Sequence, residues 1–106
     1  MPAPSTPSPI FCQRLKAARL AAGLSQKQLG IRAGLDEFVA STRINRYEVG
    51  VHEPDLSMAQ RLAEVLEVPL AYFYAQDDRL ARCILGFAAL APSEQDALLA
   101  QLPAQG

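Results

Sequence analysis

Leu24-Ser25-Gln26-Lys27-Gln28-Leu29-Gly30, followed by Ala33-Gly34-Leu35 and then Arg43-Ile44-Asn45-Arg46-Tyr47-Glu48-Val49-Gly50, is the stretch that decides the fold. Ser25 and Gln28 have the spacing of a capping box, in which the hydroxyl accepts from the backbone N–H near Gln28 and the Gln28 side chain reaches back. Gly34 supplies the left-handed backbone that a tight helix stop needs and that a Cβ opposes. A helix of about two turns is therefore expected between them. Further on, Ile44 and Tyr47 stand three apart and share one helical face, while Arg43, Asn45 and Arg46 fall on the other sides. Two short amphipathic helices joined by a glycine turn are the unit that sets a helix into a DNA major groove.

Outward from this unit the chain reads as all helix. Ile10 to Ala22 predicts a first helix with Phe11, Leu15 and Ala18 at core spacing, closed by Gly23. Gly50 and Pro54 punctuate a loop, and Asp55 is a good N-cap for a fourth helix with Leu56, Ala59, Leu62, Ala63 and Leu66 on one face. Pro69 opens a short fifth helix to Tyr74, with Leu70, Tyr72 and Phe73 closing the core. Asp77 and Asp78 start a sixth from about Arg79 to Leu90, and Pro92-Ser93-Glu94 a seventh that ends before Pro103.

These elements resemble the phage-repressor, Cro or Xre-type helix-turn-helix family. The matching residues are Arg14-Leu15-Lys16, Gly23-Leu24-Ser25-Gln26, Ala33-Gly34-Leu35 and Arg46-Tyr47-Glu48, with Gly50, Pro54 and Leu62-Ala63 beyond them, in the family's order. The resemblance implies a compact five-helix repressor-like domain over residues 10–75, to which residues 76–106 add one or two C-terminal helices. Against the family's pattern, about four residues are extra within Asp36-Glu37-Phe38-Val39-Ala40, close to one helical turn. Either Asp36 caps a recognition helix lengthened at its start, or Asp36 to Ala40 form a separate turn and Ser41 caps a helix of ordinary length. The second reading is preferred, since Ser41 can cap where Ala40 cannot; Phe38 and Val39 are then expected to seal the widened turn against the core.

The resemblance also implies roles. Ser41, Thr42 and Arg46 occupy positions that face base edges, with Arg43 close enough to join them; an arginine fork can pair with guanine O6 and N7. Gln26 and Lys27 at the start of the second helix, Asn45 and His52 are the expected phosphate contacts, although Val51 and His52 stand where many relatives carry a basic residue. Tyr47 is expected in the core, and Glu48 in an internal salt bridge or capping backbone, because a carboxylate near phosphates is repelled.

Charge qualifies this picture. The chain of 106 residues has a net charge of -1, not the basic footprint usual for a nucleic-acid binder. Up to residue 66 there are eight basic against six acidic side chains; beyond it, two against five. The acidity thus belongs to the C-terminal part, and a dimer would double the phosphate contacts of the weakly basic part. Leu80, Ile84, Leu85, Phe87, Ala88, Leu90, Leu98, Leu99 and Leu102 offer more apolar surface than two terminal helices need, which points to a partner; the resemblance implies homodimerisation through the C-terminal helices, a protein partner is the alternative, and the two helices folding back on their own domain is a third. Residues 1–9, with four prolines, are expected to be a disordered arm.

Two cysteines and one histidine assemble no metal-ligand set, no glycine-rich phosphate loop is present, and no nucleophile sits beside a plausible base. No catalytic residues, metal or cofactor are expected, and the chain is not read as an enzyme. Cys12 and Cys83 lie far apart in sequence, so a reduced, cytoplasmic protein is expected, and without an apolar run near the roughly 20 residues of a membrane-spanning helix no membrane insertion is. The function expected is a DNA-binding transcriptional regulator that takes double-stranded palindromic operator DNA as a dimer. The alternative is an antitoxin-like or phage-type regulator whose terminal segments bind a protein partner.

Overall fold

The computed structural model describes residues 9–104. Six α-helices and one 3-10 helix make up the regular structure of the described residues: α1 Pro9–Ala21, α2 Gln26–Arg32, α3 Ala40–Val49, α4 Leu56–Leu66, the 3-10 helix Leu70–Tyr74, α5 Asp78–Ala89 and α6 Pro92–Ala100. The expected all-α fold is what forms. The Pro-rich arm lies outside the described residues except for Pro9, which instead opens α1, a position where its fixed φ and missing N–H suit a helix start.

Phe11, Leu15, Leu29, Ile44, Leu62 and Phe73 are the large side chains buried most completely, so every helix from α1 to the 3-10 helix contributes to a single core. Phe11 packs on Phe73 with ring centroids 5.1 Å apart and on Tyr74 at 5.5 Å, joining the start of the chain to the 3-10 helix. The expected face of α4 is buried at Ala59, Leu62, Ala63 and Leu66. Leu56, placed on that face by spacing, is exposed, and half-buried Met58 of the same turn packs against the core instead.

Helix ends follow local chemistry. Asp55 Oδ1 accepts from Met58 N–H at 2.8 Å, and Asp77 Oδ1 from Arg79 N–H at 2.7 Å. Helix α4 ends at Glu67, which holds a left-handed φ of 56°, the one positive φ outside glycine among the described residues.

Arg14 ties α1 to the C-terminal part. Its Nε and Nη2 both donate to Ala75 O, at 3.0 and 2.7 Å, and its Nη1 lies 3.0 Å from Asp78 Oδ1. Beyond this staple the packing thins. Helix α5 buries Ala81 and rests Ile84 on the core; α6 buries no residue, and Gln95 Nε2 donates to Phe87 O at 2.9 Å to hold it to α5. Leu80, Leu85, Leu98, Leu99 and Leu102 stay exposed.

Candidate nucleic-acid interface

Helix α2 is built as its sequence dictates. Ser25 Oγ accepts from Gln28 N–H at 3.0 Å and Gln28 Oε1 accepts from Ser25 N–H at 2.8 Å, completing the capping box. At the other end Leu35 N–H donates to Gly30 O and Gly34 N–H to Ile31 O, with Gly34 at φ 98°. That pairing is a Schellman stop, and it turns the chain sharply out of α2.

The segment that follows is a separate turn and not a prolongation of α3. Asp36 Oδ1 accepts from Phe38 N–H at 2.8 Å and Asp36 O from Val39 N–H at 3.0 Å, so Asp36 folds the turn on itself instead of capping a helix. Two details differ from expectation. Helix α3 begins at Ala40 with Val39 at the cap and no side-chain cap bond, leaving Ser41 inside the first turn. Phe38 and Val39 do not seal the turn: they are 88% and 43% exposed.

Ala40, fully buried, is the residue that packs inward here. A Cβ built on Gly30 would stand 2.7 Å from Ala40 Cβ and 3.0 Å from its carbonyl oxygen, so α2 and α3 approach as closely as a glycine opposite an alanine permits. That contact, together with buried Ile44 and Tyr47, fixes where α3 starts and which face it shows.

A buried ion pair pins the far end of α3. Arg19 Nε donates to Glu48 Oε2 at 2.6 Å and Nη2 to Oε1 at 3.0 Å, while Nη1 donates to Leu24 O at 3.0 Å. The two side chains are 10% and 3% exposed. Hydrogen bonding to Glu48 raises the guanidinium pKa further above its ordinary value. The expected internal salt bridge of Glu48 is therefore present, and the bidentate geometry suits a desolvated pair. Gln26 extends the network: its Nε2 donates to Glu48 Oε1 at 3.1 Å and to Asn45 Oδ1 at 3.2 Å. Both side-chain donors of Gln26 are thereby used within the chain, and the Asn45 amide is held with its oxygen toward α2.

Ser41, Thr42, Arg43, Asn45 and Arg46 are all exposed on the side of α3 away from the core. Arg43 leans toward Tyr47, with Nη1 3.5 Å from the phenol oxygen, and shares with Arg46, His52 and Glu53 an open cleft of about 330 Å³. His52 is exposed in the loop after Gly50, and Lys27 is exposed in the first turn of α2. The eight site residues expected from the sequence thus come to α2, α3 and the loop beside them. Two contributors escape a sequence reading: Arg19, whose role depends on a partner 29 residues away, and Phe38, whose exposure no local pattern signals.

A family model described as Helix-turn-helix matches residues 15–73. Among solved structures, the crystal structure of the transcriptional regulator BswR is similar at 48% identity and a TM-score of 0.81, covering 86% of this chain and 93% of that one. No curated protein matches the chain.

Proposed function

The chain belongs to the Xre-type helix-turn-helix family, and from this we propose that it is a sequence-specific transcriptional regulator that reads operator DNA through the major groove. The observation that carries the reading is the division of α3. Ala40, Ile44, Tyr47 and Glu48 hold the helix in place, and every other residue from Ser41 to Arg46 is a polar side chain facing out. The likeness to BswR, a transcriptional regulator, supports it.

In this reading Arg46 and Arg43 pair with guanine edges, and Ser41 and Thr42 contact the bases beside them. Lys27, His52 and the Asn45 amide nitrogen contact phosphates. Gln26 does so through its backbone N–H, since Glu48 and Asn45 hold its side-chain donors. Two protomers join through α5 and α6, whose exposed leucines supply the self-complementary surface, and the two α3 helices meet half-sites about 34 Å apart on a palindrome. The protein acts in the cytoplasm. The same leucines favour the second reading, in which this surface takes a protein partner and the DNA-bound regulator is controlled by it.

Selection of bound sites from random duplex DNA tests the function. Wild type should enrich one palindromic motif, and Arg46→Ala should lose preference at one position per half-site at a cost of about 1–3 kcal/mol. No enriched motif at low salt would end the specific-regulator reading. Light scattering tests the assembly, with a monomer at micromolar concentration counting against the dimer.

A further inference from the structure

Phe38 is the most exposed large apolar side chain of the described residues, and it stands on the turn that leads into α3. The turn is ordered, with both the carboxylate and the carbonyl of Asp36 accepting backbone N–H groups, so the ring projects from a fixed base. With Val39, Thr42, Arg43 and Arg46 it lines a cleft of about 290 Å³. An apolar wall thus adjoins three of the side chains that the proposed function aims at base edges. The carboxylates of Asp36 and Glu37 beside it disfavour approach of this turn to phosphates, which leaves the base edges as what the ring can meet. In the major groove the one apolar feature among those edges is the thymine 5-methyl group.

We propose that Phe38 and Val39 form an apolar subsite that recognises a thymine methyl in each half-site, next to the base read by Arg46. The subsite rests on the DNA-binding reading above and adds a specificity element that lies outside the recognition helix. Covering the exposed ring with a methyl removes apolar surface from water on both sides and makes the preference one for thymine over uracil or cytosine.

The test uses the selected operator with each thymine replaced singly by deoxyuridine, which removes only the methyl. For wild type, one replacement per half-site should weaken binding about three- to fivefold, the effect of one buried methyl. Phe38→Ala should bind the thymine operator correspondingly less well and be indifferent to that same replacement, while Phe38→Leu keeps part of the discrimination. Because the ring is exposed, thermal denaturation of both variants should match wild type. If no deoxyuridine position matters to wild type, or if Phe38→Ala keeps the sensitivity, the subsite is overturned while the DNA-binding reading stands. Full operator affinity in Phe38→Ala overturns it too. Wild type that selects no sequence at all overturns both.

Discussion

Helices α2 and α3 are neighbours joined by a short connection, as are α5 and α6, yet the first pair is locked into the molecule and the second barely rests on it. In α2 and α3, Gly30 meets Ala40, Ile44 and Leu29 are fully buried, and Glu48 is held by both arms of Arg19. In α5 and α6, one residue is buried in the first helix and none in the second, and five leucines in and just after them face outward. The apolar content of the two pairs does not explain the contrast. What differs is how much partner surface exists within the chain: α1 and α4 complete the first pair, whereas the second is covered within the described residues only along α5 at Ala81 and Ile84. A rigid pair suits the presentation of side chains in fixed geometry, and an uncovered pair suits association.

The contrast can be broken most severely at Arg19. Arg19→Met leaves the Glu48 carboxylate buried without its cation, and unfolding in urea should show a loss of about 3–5 kcal/mol. A loss below about 1 kcal/mol, the size of an exposed pair, would mean that the ion pair does not hold α3. Next in size is the uncovered pair. Leu80→Glu combined with Leu99→Glu should give a monomer by light scattering and weaken operator binding about a hundredfold, since linked half-sites gain that much from each other. The monomer should keep its helical circular dichroism, and a dimer that persisted in this variant would move the proposed interface elsewhere. Gly30→Ala then probes the close approach of α2 and α3: thermal denaturation should show about 1–3 kcal/mol of destabilisation, with operator affinity falling as α3 shifts. Unchanged stability and affinity would show that the Ala40 contact can relax freely. The smallest effect is a gain. Glu67→Gly relieves a left-handed backbone at the end of α4 and should stabilise the fold by about 0.5–1 kcal/mol without touching DNA binding.

The parts of this architecture that are legible in the sequence are those set by neighbours a few residues apart. The Ser25 and Gln28 box, the Gly34 stop, the Asp55 and Asp77 caps, and the burial of Phe11, Leu15, Ile44 and Tyr47 each depend on one turn of chain. The turn before α3 is read as separate on the strength of a Ser41 cap that does not form; what holds it is Asp36, whose carboxylate accepts from Phe38 N–H. The start of α3 is not legible, because Val39 and Ala40 are poor capping residues and the deciding contact lies across on Gly30. Phe38 and Val39 read as core by hydrophobicity alone, but both point out and it is Ala40 that packs, against Gly30. Arg14 carries no local sign of its bonds to Ala75, which lies 61 residues away. The polar face of α3 is recognisable from its residue types, whereas the engagement of Gln26 by Glu48 and Asn45 requires α2 and α3 to be placed together.

The pose of α3 is fixed by Gly30, by its own buried face and by Arg19, all outside Asp36–Val39. That turn is consequently a replaceable cassette. Glu37, Phe38 and Val39 all point to solvent, so exchanging their side chains should leave the pose of the helix behind them unchanged, and any sequence preference they carry can be altered at little cost to the fold.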